Sequence, residues 1–551
     1  MWKKQAIKEL NSIDKVAEEK QIIVDRCICY SLNYLVKNEF KKEDLRDFDL
    51  NYLVNVINNN ISNFNSIAVA NTFNYLAQLD YNKNDLKELK IDLLVNNLNK
   101  NMLKIHPIGM SNICNGLSKI GYKIGDLKDL NVKLLIENLN QNLAKFDPMG
   151  IANTFNGLSR LGFTTKDLNG LDLKLLAETV NKAIPDFNFL GISNTFNGLA
   201  QIGYRAKYLY TIKPSRIVEN LNKNMLEFNP VSISNMLNGL SHMGYNSQDL
   251  KDLKLKLLAK NINDNISDFS ATVAIAAING LVTLFFYDGI NNSNKVLINT
   301  ILKLMNNFKA NDEIEKTTFN KNLYVLKNIF KSKYFKDIDF LKLNNNEKEK
   351  IDNQRLNNKN EYEVEKAKQI SQVLNSKKVE FQPSIEEDCG FGTLMGKGCD
   401  IKIETDDCIY YIEIDGPMHF RYRNMTNVIP STIIRNKIAV SMIKNTRNAK
   451  AIRYLTIPIN AKLKTKDDIY RYAFYNRDPI RNIDLGGFME LNGIQPKTSI
   501  LNEVRQRNIF EEEFEEETQQ PKSFVKDYLE RKDKEAEEVN DYKTRIKDWE
   551  L

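Results

Sequence analysis

The stretch NTFNGLSRLGF, from Asn153 to Phe163, decides the fold because the chain repeats it. NTFNYLAQLDY begins at Asn71, NICNGLSKIGY at Asn112, NTFNGLAQIGY at Asn194, NMLNGLSHMGY at Asn235 and a degenerate AAINGLVTLFF at Ala276. The first asparagine recurs at 71, 112, 153, 194 and 235, and the second at 74, 115, 156, 197, 238 and 279, a step of 41 that never slips. One step back from Asn74 is Asn33 and one step on from Asn279 is Asn320, which gives seven units and a decayed eighth. A fixed period of this length marks an array in which each unit buries its apolar face against its neighbours.

Each unit reads as two helices. In DPMGIANTFNGLSRLGF, Asp147 is an N-cap, Pro148 takes the first helical position and Gly162 stops the helix, so helix A runs from about Pro148 to Leu161. Ile151, Phe155, Leu158 and Leu161 form its packing stripe, and the recurring Gly157, Gly198 and Gly239 imply close approach to a neighbouring helix. After the turn TTKDLNGLD, LKLLAETVNKAI carries apolar residues at helical spacing and forms helix B. Stacked pairs of this kind make an α-solenoid.

Offsets 0, +3 and +7 lie on one face of helix A, away from the Phe155 and Leu158 stripe. The face carries Asn74 and Gln78, then Asn112, Asn115 and Lys119, Asn153, Asn156 and Arg160, Asn194, Asn197 and Gln201, and Asn235, Asn238 and His242. A constant amide beside a neighbour that changes from unit to unit suits a reader of single-stranded RNA, since amides and guanidinium groups bond exposed base edges. The bland alternative is that the asparagines serve backbone groups between stacked helices. It weighs more for helix B, which has its own asparagine column at 58, 99, 140, 181, 222 and 263.

The chain has 551 residues and 42% hydrophobic content, enough for a large core. It has no apolar run of the ~20 residues a membrane span needs, and its start, MWKKQAIKEL, lacks the apolar core of a secretory signal, so a cytoplasmic address and no membrane partner are expected. The six cysteines fall in no paired metal-ligand spacing and read as reduced thiols. The net charge of +7 divides unevenly: residues 511–551 hold 8 Lys and Arg against 15 Asp and Glu, a net −7, leaving +14 on the rest. A basic body suits a polyanionic partner, and a Lys- and Asn-rich composition is the competing explanation.

Beyond the repeats the period changes. KKVEFQPSI, GCDIKIET, CIYYIEIDGPMHF and AIRYLTIPI read as strands and STIIRNKIAVSMIKN as a helix, which makes a small α/β unit. The expected organisation is a solenoid over 1–345, a linker over 346–360, the α/β domain over 361–480 and an acidic tail over 481–551. Glu413 and Asp415 alternate with Ile412 and Ile414, so both carboxylates leave one face of a strand, Asp400 arrives from the strand before, and His419 lies just past the turn. Converging carboxylates can hold Mg²⁺ or Mn²⁺ against a phosphodiester, and a nearby histidine can move a proton. Against this, Asp415-Gly416 can simply be a turn, with Glu413 a solvated strand residue.

The period, the paired helices and the NTFNGLSRLG core resemble the octotricopeptide repeats of organellar and some bacterial RNA-binding proteins, over roughly Asp25 to Lys331. The segment Asp415, Gly416, Pro417, His419 and Phe420 resembles the hallmark of the RAP domain, which commonly ends chains of such repeats and is similar to the PD-(D/E)XK nuclease fold. That likeness implies Asp400 and Glu413 as metal ligands, Glu363 or Glu365 as an acid on the first helix and Gln382 as a polar strand position. Asp415 stands where most of the superfamily has a lysine. The expectation is a metal-dependent endoribonuclease with Asp400, Glu413, Asp415 and His419 in its centre, single-stranded RNA as partner and no small-molecule cofactor. A non-catalytic RNA-binding factor is the alternative, and a protein-interaction scaffold is a third, disfavoured by the basic body.

Overall fold

In a computed structural model the chain divides into two units, Met1–Arg481 and Asn482–Leu551. The structure describes residues 7–8, 11–12, 24–45, 47–356, 361–376, 378–388, 395, 397–406, 408–415, 430–444, 451–458, 463–466 and 468–469, all in the first unit. The acidic segment expected over 481–551 and His419 lie outside the described residues.

The first half is a succession of helix pairs. They are α1 (Val24–Lys37) and α2 (Leu50–Asn60), α3 (Ser66–Gln78) and α4 (Ile91–Asn101), α5 (Pro107–Ile120) and α6 (Val132–Asn142), then α7 (Pro148–Leu161) and α8 (Leu173–Ala183). The series continues with α9 (Phe189–Ile202) and α10 (Pro214–Asn224), α11 (Pro230–Met243) and α12 (Leu255–Asp264), α13 (Ala271–Phe285) and α14 (Ile298–Asn306), and ends on α15 (Glu313–Tyr324). The odd-numbered helices are the expected A helices and the even-numbered ones the B helices. Asp147 caps α7 by accepting from the Gly150 N–H at 2.6 Å, and Gly162, at φ 91°, closes it in the left-handed conformation that glycine adopts without strain.

Consecutive A helices pack on one another, and glycine sets how closely. A Cβ built on Gly157 would lie 2.6 Å from the backbone of Cys114, and one on Gly198 would lie 2.7 Å from the backbone of Asn156. Gly116, Gly239 and Gly280 meet the preceding A helix at similar range. Ile151, Phe155, Leu158 and Leu161 are buried, as the stripe requires.

The B helices are stapled by asparagine. Asn138 donates to the carbonyls of Met102 at 2.7 Å and Ile105 at 2.9 Å, and Asn97 and Asn220 make the same pair of bonds 41 residues earlier and 82 later. The column at 58, 99, 140 and 222 clamps the turn ahead of the next B helix: Asn140 donates to Gly170 O at 3.0 Å and accepts from Asp172 N at 2.9 Å. These helix B asparagines therefore spend their side-chain N–H groups on backbone carbonyls of the chain and form the joints between units, while Asn263 bonds the Thr300 hydroxyl at 3.1 Å instead.

The segment leading out of the repeats forms α16 (Asn345–Leu356), tied to α15 by the Lys316–Glu347 ion pair at 2.7 Å. There follow α17 (Glu361–Leu374), β1 (Lys378–Phe381), α18 (Ile385–Asp388), β2 (Ile401–Glu404), β3 (Cys408–Asp415), α19 (Pro430–Lys444) and β4 (Ala451–Pro458). The sheet order is β1-β2-β3-β4, antiparallel at the first two pairings and parallel between β3 and β4. The alternating residues Cys408, Tyr410, Ile412 and Ile414 join Ile401, Ile403 and Ala367, Ile370 and Leu374 of α17 in one core. α19 packs against α11 and α13, Lys437 donates to Tyr287 O at 2.9 Å, and Tyr324 Oη lies 3.1 Å from Ser441 Oγ. The small sheet domain is thus fastened to the last repeats.

Candidate functional site

Glu413 sits in the middle strand on the face opposite the Ile412 and Ile414 core, and it is buried. A buried carboxylate must be paired. Its partner is Lys397, whose Nζ donates to Oε1 at 2.7 Å, with Arg435 Nη1 of α19 at 3.6 Å from Oε2. Lys397 is held in turn by Glu386 of α18, whose carboxylate accepts from the backbone N–H of Lys397 at 3.1 Å and of Met395 at 2.8 Å.

Asp400 lies one residue before β2, and the antiparallel register Ile401 to Ile412 sets it opposite Glu413. Its Oδ2 accepts from the Ile414 N–H at 2.6 Å. Burial first, and then the charge of Glu413, push its carboxyl up to about 8, with Glu363 adding in the same direction and Arg435 opposing. Glu363 at the start of α17 accepts from Gln382 Nε2 at 3.3 Å. Asp400, Glu413, Glu363 and Gln382 are therefore in one neighbourhood, while Glu365 is exposed. Asp415 ends β3 with its side chain outside the described residues, as is all of His419.

Among the described residues no three His, Cys, Asp or Glu side chains form a group that could hold a metal ion. The donor set still fits a hard divalent cation at the Asp400–Glu413 pair. Both groups are oxygen donors, and a carboxyl raised to about 8 by burial and a neighbouring charge is relieved when a cation arrives. Lys397, Arg435 and Glu386 have no counterpart in the sequence reading. Lys397 stands in GKGCD, three residues before Asp400, between glycines that reveal nothing of its reach.

On the A helices, Asn112, Asn115, Asn153, Asn156, Asn194, Asn235 and Asn238 are half-buried, and Asn74 and Asn197 are buried. Asn112 Nδ2 lies 3.4 Å from Asn71 Oδ1 and Asn115 Nδ2 lies 3.3 Å from Asn74 Oδ1, so amide meets amide from one unit to the next. This differs from helix B, whose amides bond carbonyls. At +7, Lys119, Arg160, Gln201 and His242 are exposed and Gln78 half-buried. Although the residue is exposed, desolvation of its ammonium by the neighbouring helices and then the charges of Arg160 and Lys41 lower the pKa of Lys119, which places consecutive +7 cations within each other's field.

The chain matches no protein-family model and no curated protein. Among the described residues no helix is long and apolar enough to cross a membrane. The class that fold and site define is an array of helix pairs carrying a small mixed α/β domain in which buried Glu413 faces half-buried Asp400.

Proposed function

We propose that this chain is a single-stranded RNA-binding endoribonuclease, in which an octotricopeptide-like α-solenoid selects the strand and a RAP-like domain of the PD-(D/E)XK type cuts it. The observation that carries the reading is the lysine: Lys397 Nζ lies 2.7 Å from Glu413 Oε1, beside Asp400, in a strand whose own lysine position holds Asp415. A cation-bearing side chain thus reaches the acid pair from a different point of the chain.

In hydrolysis a water oxygen attacks phosphorus, one P–O bond breaks and the leaving oxygen takes a proton. Asp400 and Glu413 would hold Mg²⁺ or Mn²⁺, which supplies charge neutralisation at the phosphate and a more acidic water. Lys397 fixes the orientation of Glu413 and places positive charge where a phosphate oxygen gains negative charge. Arg435 adds a second cation on the same carboxylate. Asp400, raised to about 8, holds a proton at neutral pH that it gives up on cation binding. On the A helices, the amides and the +7 residues face the strand, with Lys119 and Arg160 neutralising phosphates and Gln201 and His242 meeting base edges.

The same ion pair favours a second reading. Glu413 is already neutralised by Lys397 and Arg435, as a structural pair would be, and a non-catalytic RNA-binding factor would need no more. Incubating end-labelled single-stranded RNA with the full chain in Mg²⁺ and in EDTA separates the two. Defined fragments in Mg²⁺ alone support the nuclease, tight binding without fragments supports the binding factor, and no binding removes both.

A further inference from the structure

In α3, α5, α7, α9 and α11 the exposed residues stand at only two positions, four before and seven after the first asparagine of the unit. The later position is the +7 column. The earlier one is apolar in every unit: Ile67, Ile108, Met149, Leu190 and Val231, between 40% and 67% exposed. Four residues make about one turn, so each of these side chains shares a helix face with the amides and the +7 residue that follow it. Neighbouring helices bring the lines together, with Asn112 meeting Asn71 at 3.4 Å and Asn115 meeting Asn74 at 3.3 Å. The array thus carries an apolar row along the N-terminal ends of five A helices, two rows of amides beside it and the +7 row beyond.

Five unbranched or branched apolar side chains left in water forgo the gain from being covered, and a contiguous row edged by polar groups marks a binding surface. Its chemistry selects the occupant. The four columns hold no Asp or Glu across these five helices, although 71 of the chain's 551 residues are acidic. Lys119 and Arg160 stand in the last column, and exposed Lys37 extends it onto α1. Tyr30, 65% exposed, takes the first-asparagine position of α1 and puts an aromatic ring on the same face. A surface that runs from apolar side chains through amides to cations matches a nucleotide, whose base has apolar faces and polar edges and whose phosphate is an anion. The row ends at α13, where Thr272 takes its place and its hydroxyl donates to Glu315 at 2.6 Å.

We propose that Ile67, Ile108, Met149, Leu190 and Val231 form a shelf for the base faces of single-stranded RNA, with Tyr30 stacking a base at its first end. The proposal deepens the RNA-binding reading above and rests on it. It fixes how the strand lies: across the A helices, with bases toward their N-terminal ends and phosphates toward Lys37, Lys119 and Arg160. The amide rows then meet base edges between the two.

The test uses the full chain and two fluorescent strands of about 40 nucleotides, one a random-sequence single-stranded RNA and the other the same ribose-phosphate backbone without bases. The quantity read is the ratio of the two affinities, which does not depend on the fraction of protein folded. Ile108→Ser with Met149→Ser should shrink the wild-type preference for the strand with bases about tenfold, and Tyr30→Ala about fivefold, with the dependence of affinity on salt unchanged because no cation is lost. Lys119→Ala with Arg160→Ala should instead reduce the slope of log affinity against log salt by about 1.4 on both strands. A wild-type ratio in both the Ser and the Tyr30 variants overturns the shelf. If the Lys119 and Arg160 variant still loses its slope in that case, the RNA reading survives and the apolar row is left for a protein partner. Wild-type protein that binds neither strand even at about 50 mM salt overturns the shelf and the RNA reading together.

Discussion

Lys397 Nζ stands 2.7 Å from Glu413 Oε1, joining a glycine-flanked loop to the central strand of the sheet domain. On the nuclease reading this contact aligns the carboxylate and leaves a cation facing the substrate. Lys397→Met should then lower the cleavage rate at least about 100-fold while RNA affinity changes less than about threefold. A single-turnover assay with saturating protein measures the rate apart from binding. A loss confined to RNA affinity would assign the lysine to the strand path instead.

Asparagine does different work on the two helices of a unit. Asn138→Ala leaves the Met102 and Ile105 carbonyls without their donor in a buried joint, and should destabilise the chain by about 2–4 kcal/mol. Asn156→Ala on the A face should cost less than about 1 kcal/mol and weaken RNA binding. Urea unfolding and anisotropy on the same preparations check both. Equal destabilisation by the two substitutions would show that the A-face amides are joints as well.

Close helix approach depends on the absence of a side chain. Gly157→Ala would drive a methyl to within 2.6 Å of the Cys114 backbone, so the two helices must separate, at a cost of about 1–3 kcal/mol. Thermal unfolding measures this. An unchanged midpoint would mean that the stack adapts freely.

Asp400 gives the fold a pH signature. With its carboxyl raised to about 8 when folded, the group favours the folded state at low pH, and its contribution falls as pH rises from about 4 through about 8. Asp400→Asn does not titrate, so its stability relative to wild type should grow by up to about 1.4 kcal/mol per pH unit across that window. Denaturation at pH 5, 6, 7 and 8 without divalent cation measures it. A constant difference would place the carboxyl in its ordinary range.

The three histidines of the chain make His242 observable. Its ring should titrate below the usual histidine range in the free protein, since desolvation, Arg205 and Lys321 all disfavour the charged form against the opposing bond to Asn238 O. Bound phosphate should raise that value by offsetting the two cations. Histidine ring signals followed against pH by NMR, with His242→Gln for assignment, report both. A titration unmoved by RNA would separate this ring from the strand.

Much of the helical half was legible because its signals are local and repeated. Asp147, Pro148 and Gly162 bracket α7 at the expected residues, and the glycine column announces helix contact from the sequence alone. The strands containing Ile401 and Glu413 were legible from alternation and β-branched content. The second B-helix column of Asn97, Asn138 and Asn220 also keeps the 41-residue period, as NLN at 97–99, 138–140 and 220–222, but its partners were not legible, since its bonds reach 33 and 36 residues back. Lys397 and Arg435 were hidden for the same reason: their meeting with Glu413 is made by tertiary packing.

The central claim is that one chain both binds RNA and cuts it at the Asp400–Glu413 pair. End-labelled single-stranded RNA, incubated in Mg²⁺ with wild type, Asp400→Asn and Glu413→Gln at saturating protein, tests it most directly. Discrete fragments from wild type, their loss in both variants and undiminished binding by all three are the predicted result. Cleavage that persists in both variants, or RNA that wild type binds and leaves whole in Mg²⁺ and Mn²⁺, would contradict it.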